Sequence, residues 1–114
     1  MRYMLLICDS EAEFDRLPEQ EVAQVMKEYG SYTAALEEAG AYVSGNRLRP
    51  VATAKSVRVR EGKTLLTDGP FAETKEQLGG YYLIEVKDLD EALQWAAKIP
   101  SARYGTIEVR AIWE

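Results

Sequence analysis

Two segments of the chain carry apolar residues at helical spacing, and each lies between short apolar runs typical of strands. The first segment, residues 18–39, repeats apolar side chains three and four positions apart. The second begins after Asp88, whose spacing to Glu91 is that of a capping box, and it ends at Pro100. An amphipathic helix has to bury one side, so we expect both helices to pack against one face of a sheet.

Four apolar segments are predicted to form that sheet: residues 3–8, 41–47, 80–86 and 106–113. The second of them follows the first helix almost directly, so we expect it to lie beside the first strand. Two further strands, residues 56–60 and 64–67, flank a Glu61-Gly62-Lys63 turn and predict a β-hairpin. Without the hairpin the order is β-α-β-β-α-β. The predicted class is therefore α+β, a ferredoxin-like fold with an extra β-hairpin, in one domain covering residues 1–114.

The first strand, residues 3–8, is apolar at every position, so both of its faces should be buried. The helices cover one face of the sheet. The other carries too many aliphatic and aromatic side chains to face water, because monomers rarely expose large apolar patches. We expect this face to pair with a second copy across a two-fold axis, which makes the chain a homodimer.

Charge and composition narrow the classes of partner. The net charge of −5 repels a phosphate backbone, and Arg58 and Arg60 alternate with valines as on the wet face of a strand, so we expect no nucleic-acid partner. One cysteine, Cys8, and no histidine can form neither a disulfide nor a metal site. No nucleotide-binding or nucleophile motif is present, so no cofactor is expected. The apolar N-terminal run is too short to cross a membrane, and we expect a cytoplasmic protein.

The least generic stretch is the segment between the hairpin and the third strand of the sheet, residues 68–80. Gly69 and Pro70 are expected to stiffen a turn, and Phe71 to anchor the loop in the core. Thr74 and Gln77 have the spacing of a capping box, which predicts a single helical turn. The segment is therefore expected to be a stiff loop that can hold charged side chains in fixed positions.

Charged side chains on this loop are the candidate site residues. A carboxylate close to an ammonium can be held ionised for proton transfer, so Asp68 and Lys75 are candidate catalytic residues. Glu73, Arg47 and Tyr81 are candidate ligand-binding residues for a small molecule. The alternatives stay open: Asp68 bracing its own turn, Lys75 and Arg47 merely solvated, and Tyr81 packed in the core.

The same loop carries a resemblance to a known family. Residues 68–76 read Asp-Gly-Pro-Phe-Ala-Glu-Thr-Lys-Glu and continue into Leu-Gly-Gly-Tyr-Tyr at 78–82. Together with Arg-Tyr-Met-Leu-Leu at 2–6, Asp-Leu-Asp-Glu-Ala at 88–92 and Glu-Val-Arg at 108–110, they resemble the YCII-related family, in its branch named for the DGPF motif. The resemblance covers nearly the whole chain and implies a dimeric α+β barrel, in which two ferredoxin-like subunits join their sheets.

The resemblance also bears on function. YCII-like relatives are proposed to use a His-Asp pair for lyase or isomerase chemistry on small molecules, and this chain has no histidine. Acid-base work would fall to carboxylates, Lys75 or a tyrosine such as Tyr81. The first hypothesis is a cofactor-free isomerase or lyase acting on a small polar metabolite. The second, which the absence of histidine favours, is a non-catalytic ligand-binding or regulatory dimer. Members of this branch are similar to proteins encoded near, or labelled as accessory to, extracytoplasmic-function sigma factors. The third is an interaction module whose loop braces the dimer.

Overall fold

A computed structural model describes residues 1–114 as two sheets and three helices. The strands are β1 (Arg2–Asp9), β2 (Tyr42–Arg47), β3 (Lys55–Arg60), β4 (Lys63–Asp68), β5 (Gln77–Glu85) and β6 (Thr106–Ala111). The helices are α1 (Glu11–Asp15), α2 (Glu19–Glu38) and α3 (Leu89–Ala97). None of the helices has the length and apolar character needed to cross a lipid bilayer.

The larger sheet has the strand order β2-β5-β1-β6 with every neighbouring pair antiparallel, and β3 and β4 form the second sheet. This confirms the predicted α+β class, the ferredoxin-like order and the extra hairpin. The expectation that β2 lies beside β1 is wrong, because β5 separates them. A helix about 10 Å across spans roughly two strand spacings of about 4.8 Å, so the crossover through α2 leaves room for one strand between β1 and β2.

The core lies between this sheet and the helices α2 and α3. Alternate residues of β1 and β5 point towards the helices, and Leu5 and Ile84 meet Leu36 of α2 there with no exposed surface. The Tyr32 ring packs edge-on against Tyr82, with ring centroids 5.2 Å apart, and the Tyr32 hydroxyl donates a hydrogen bond to the Trp95 carbonyl of α3. These contacts fix α2 on the sheet.

The N-terminal cap of α3 was predicted from the sequence, whereas the helix α1 and its cap were not. The Asp88 carboxylate accepts a hydrogen bond from the Glu91 amide at 2.9 Å, which confirms the predicted cap of α3. The short helix α1 was not predicted. Its signal is Ser10, whose hydroxyl oxygen accepts from the Glu13 amide at 3.2 Å directly after the end of β1.

The loop between β4 and β5 departs from two expectations. Phe71 is 81% exposed in the single chain, so the predicted core anchor is wrong. No helical turn follows Thr74, whose hydroxyl instead donates to the Glu76 carbonyl. The reason is that Gln77 pairs with Asp9 of β1, and this ladder satisfies backbone groups that a helical turn would leave exposed at its ends.

The hairpin of β3 and β4 stands out from the rest of the molecule. The chain measures 48 × 42 × 18 Å with a radius of gyration of 16.1 Å. A compact domain of this length has a radius of gyration of about 13 Å. The excess agrees with the exposure of both hairpin strands along almost their whole length.

A glycine pair inside β5 shapes the sheet beside the end of β1. The register of β1 against β5 shifts between Ile7 and Cys8, so Gly79 is the extra residue of a β-bulge. A Cβ at Gly80 would lie 2.8 Å from the Asn46 carbonyl oxygen of β2, whereas a Cβ at Gly79 would meet nothing closer than 3.5 Å. Gly80 therefore lies where the backbones of β5 and β2 approach each other closely.

Replacing Gly80 by alanine is predicted to destabilise the fold, because the new methyl group has to displace backbone atoms of β2. We expect Gly80→Ala to lower the free energy of unfolding by about 1–3 kcal/mol in urea denaturation. Gly79→Ala is the matched control at the neighbouring position, where the new methyl group would make only an ordinary van der Waals contact. It should lower the free energy of unfolding by less than Gly80→Ala does. Equal losses in the two variants would contradict the assignment.

Candidate functional site

A cleft of about 780 Å³ opens between the sheet and the helices α1 and α2. It lies beside the end of β1 and along the middle of α2, where residues 25–33 face it, on the side of the sheet that carries the core. The side chains that line it and enter the argument below are Asp9, Phe14, Tyr29, Arg47, Arg49 and Ser101. Its size is that of a small-molecule site.

Asp9 is a half-buried carboxyl group at the carboxyl end of β1. Burial raises its pKa above the ordinary value, because a charged carboxylate loses solvation there, and nearby Glu76 and Glu11 add to the rise. Two groups act in the opposite direction: the Ser101 hydroxyl and the Arg47 guanidinium both favour the ionised form. Asp9 therefore carries a proton more readily than a solvated aspartate while keeping partners for its anion.

Tyr29 and Ser101 form a hydroxyl pair beside Asp9. Their oxygens are 2.6 Å apart, and Ser101 is almost fully buried in a turn that Pro100 begins after α3. Burial raises the pKa of Tyr29 to about 12, so the phenol keeps its proton at neutral pH. The phenol can then donate to Ser101, which leaves the serine proton free for Asp9.

The turn that carries Ser101 is fastened to α2 by an ion pair. Arg103 donates to both carboxylate oxygens of Glu28, at 2.6 and 3.1 Å. This hydrogen-bonded arginine lowers the pKa of Glu28. The pair therefore helps to keep Ser101 at the Tyr29 hydroxyl.

Two arginines supply positive charge to the cleft. The Arg47 guanidinium lies 5.7 Å from the centre of the Phe14 ring, and neither Arg47 nor Arg49 forms an ion pair. By contrast Glu11, another lining residue, is engaged, since its carboxylate accepts from the Val51 amide at 3.0 Å. A guanidinium held on an aromatic face with its N–H donors free can bind a carboxylate or phosphate.

A second hydroxyl pair lies deeper, where Thr33 of α2 meets Tyr82 of β5 at 2.6 Å. The cleft therefore combines a carboxyl group, free guanidinium groups and hydroxyl groups over an apolar wall. The side chains do not assemble any set of three His, Cys, Asp or Glu residues that could hold a metal ion. The arrangement can bind a small anion and exchange a proton with it.

Comparisons of the sequence with known proteins identify the family of the chain. The sequence model of the YCII-related domain matches residues 1–114. The chain belongs to the YCII-related family. An uncharacterised protein of Rhizobium meliloti (strain 1021) is 38% identical to this YCII-related chain over 114 residues, which cover 98% of this chain and 92% of that protein.

The residues that the sequence singled out fall in two places. Arg47 lies in the cleft. Tyr81 borders the cleft, but the strand register turns its side chain to the uncovered face of the sheet, where its hydroxyl accepts a hydrogen bond from Asn46 at 3.0 Å. Asp68, Glu73 and Lys75 do not line the cleft; all three are exposed, and Asp68 is paired with Lys55 across the base of the hairpin. A catalytic role for Asp68 and Lys75, and ligand binding by Glu73, stay predictions.

Three cleft residues, Asp9, Tyr29 and Ser101, were not identified from the sequence. Asp9 had a signal: it is the first charged residue after an apolar strand, and ligands collect at strand ends in many α/β proteins. Tyr29 and Ser101 had none, since a tyrosine in an apolar helical stripe is usually core and a serine after a proline is usually a turn residue.

The raised pKa of Asp9 predicts a specific dependence of stability on pH. Between the unfolded value, 3.8, and the higher folded value, the folded state binds more protons than the unfolded state. The free energy of unfolding should therefore fall as pH rises through this window. Asp9→Asn removes the charge, so its Tm should exceed that of the wild type at pH 7, and the difference should vanish as pH falls below 3.8.

The matched control is Asp15→Asn, at an exposed carboxylate on the rim of the same cleft. Calorimetric unfolding of both variants from pH 3 to pH 8 gives the comparison. If Asp9→Asn is less stable than the wild type at pH 7 and equal to it in acid, the carboxylate is stabilising, and the inferred direction of its pKa is wrong.

Proposed function

We propose that the cleft binds a small anionic metabolite and that Asp9 exchanges a proton with it, as in a cofactor-free isomerase or lyase. The observation that carries the proposal is a half-buried carboxyl group of raised pKa that shares a cleft with an unpaired guanidinium. A carboxyl group whose pKa moves towards the working pH is a better acid-base catalyst than a solvated one. Arg47, with Arg49, would hold the anionic group and fix the distance from Asp9 to the substrate.

The chemistry requires no external reactant. The Asp9 carboxylate removes a proton from the bound molecule, and the carboxyl group so formed returns that proton to a second position of the same molecule or to a departing group. The first outcome is an isomerisation and the second an elimination. Ser101 and Tyr29 would keep the carboxylate oriented during both transfers.

The second candidate is ligand binding without catalysis, and the specific observation in its favour is the absence of histidine from the chain. In that case Arg47 still binds the anion, and Asp9 only makes the affinity depend on pH. Ligand binding is common to both candidates, so it is tested first.

A thermal-shift screen with small carboxylates and phosphate esters is expected to find ligands that stabilise the protein. Arg47→Ala should weaken the binding of a hit about ten- to a hundredfold in calorimetry, since it removes charge-assisted hydrogen bonds. Arg60→Ala, an arginine far along the hairpin, is the matched control and should bind normally. Normal binding by Arg47→Ala would contradict the assignment of the cleft.

Turnover separates the enzyme from the binder. With any stabilising ligand that is converted, Asp9→Asn should lower kcat by about a hundredfold or more. Asp68→Asn and Lys75→Ala test the competing assignment to the loop, and the cleft assignment predicts normal kcat for both. If these two variants lose turnover and Asp9→Asn does not, the loop carries the chemistry. If no stabilising ligand is converted, the non-catalytic candidate is favoured.

We also propose that the chain belongs to the DGPF branch and that two copies join their sheets in a dimeric α+β barrel. Residues 68–71 are the motif itself, and the sheet face without helices supports the pairing. That uncovered face is lined by Met4, Leu6, Cys8, Ser44, Asn46, Tyr81, Leu83, Glu108 and Arg110, none of which is fully buried. A half-apolar sheet face is a typical site of association.

Sedimentation is expected to show a dimer of the wild type. Leu83→Arg places a charge on the uncovered face and should shift the protein to single subunits, because an unpaired charge cannot be buried in an interface. Leu93→Arg, on the exposed side of α3, is the matched control and should leave the dimer intact. A wild type that sediments as one subunit at every concentration would refute the pairing.

A further inference from the structure

The hairpin of β3 and β4, residues 55–68, forms an arm with two chemically different sides. In its register Val57 stands opposite Leu66 and Val59 opposite Thr64, so these side chains share one side. The alternate pairs, Arg58 with Leu65 and Arg60 with Lys63, lie on the other side. Beyond the Lys55–Asp68 ion pair at its base, the arm is thus apolar on one side and basic on the other.

Nothing in its own chain covers the apolar side of the arm. Val57 and Val59 are each 59% exposed, and Leu66 is 74% exposed. An isolated two-stranded hairpin is marginally stable in water at best, and it becomes stable when one side packs on another layer. The arm therefore lacks the layer that its sequence pattern requires.

We propose that the arm packs its apolar side onto the uncovered sheet face of a second copy of this chain. In a two-fold dimer the contact occurs twice, so each sheet is covered by the partner's arm as well as by the partner's sheet. The partner that fits is therefore an identical subunit, and the arm is a dimerisation element specific to chains that carry it.

Charge favours a second copy as the occupant. Four basic and two acidic residues lie in the arm, which gives it a net charge of +2. The rest of the chain has a net charge of −7, so the whole chain has a net charge of −5. An arm of one sign and a body of the other attract each other between identical subunits. Two arms, in contrast, repel each other, which disfavours an assembly of arm against arm.

The uncovered face offers an apolar contact to the arm, since Met4 and Leu6 of β1 lie partly exposed there. Arg58 and Arg60 lie on the opposite side of the arm and stay in solvent when the valine side is docked. The opposite net charges of arm and body therefore act at long range and steer the association, while the contact itself is apolar.

The arm also has a defined root, so docking does not require it to fold anew. The Ser56 hydroxyl donates to the Gly69 carbonyl at 2.8 Å, and the Gly69 amide donates to the Ala54 carbonyl at 2.7 Å. Just before the arm, the Val51 amide is held by Glu11. A fixed root leaves little conformational freedom to lose on association.

The first experiment compares neighbouring leucines on the two sides of the arm by sedimentation in a dilution series. Leu66→Glu should raise the dimer dissociation constant at least about tenfold, since it puts a charge in the apolar contact. Leu65→Glu, the same change one residue earlier on the basic side, should raise it less than about threefold. Equal effects of the two substitutions, no effect of Leu66→Glu, or a monomeric wild type would overturn the proposal.

The second experiment keeps the arm apolar, so it does not depend on the folding of a charged variant. Leu66 is replaced by photoreactive benzoylphenylalanine, and this protein is mixed with isotopically heavy wild type before irradiation. Cross-links from position 66 to β1, β5 or β6 of the heavy chain support the docking. Cross-links confined to the light chain that carries the probe, or cross-links to the arm of the heavy chain, overturn it. These outcomes are independent of whether the cleft binds any ligand.

Discussion

The structure depends on one constraint, which is that an antiparallel sheet with helices on a single side has to divide its side chains strictly between two faces. Along β1 and β5 every second residue belongs to the core, where Leu5 and Ile84 are fully buried, and the residues between them belong to the other face. A shift of one residue in the pairing would exchange the two sets, so the core and the register determine each other. The close approach at Gly80 adds a local condition, since the side chain of any other residue would push β2 away from β5.

The cleft arises where this order ends. The bulge at Gly79 interrupts the ladder beside Asp9, and α1 turns the chain away from the sheet, so a gap remains between the sheet and α2. Three segments far apart in the sequence supply Asp9, Tyr29 and Ser101 to it. Because the gap is partly shielded from water, the pKa of Asp9 rises, and its interaction with Arg47 is stronger than it would be at the surface. The gap between the sheet and α2 is thus the reason for the raised pKa of Asp9.

The single chain leaves two apolar surfaces exposed to water, one on the sheet and one on the hairpin. The sheet face opposite the helices is half-exposed, and the hairpin presents valines to solvent on a side that has no layer against it. Exposed apolar surface of this extent opposes solubility and favours association. The single chain is flat and extended, with a radius of gyration of 16.1 Å, which agrees with the dimer proposed above.

By itself the sequence determined the long helices, the strands, the fold class and the family, because these follow from local patterns, whereas it missed α1 and placed a helical turn after Thr74 that the structure does not have. Helical spacing in α2, the Asp88 cap of α3, the turn at Glu61-Gly62-Lys63 and the loop motif are all read over a few consecutive residues. Only the tertiary structure decided that β5 lies between β1 and β2, that Phe71 is exposed, and that Asp9 rather than Asp68 shares a cleft with Arg47. A functional site depends on distances between residues that are far apart in the chain. The pKa of Asp9 is raised by burial, and burial cannot be derived from the residues next to Asp9 in the sequence.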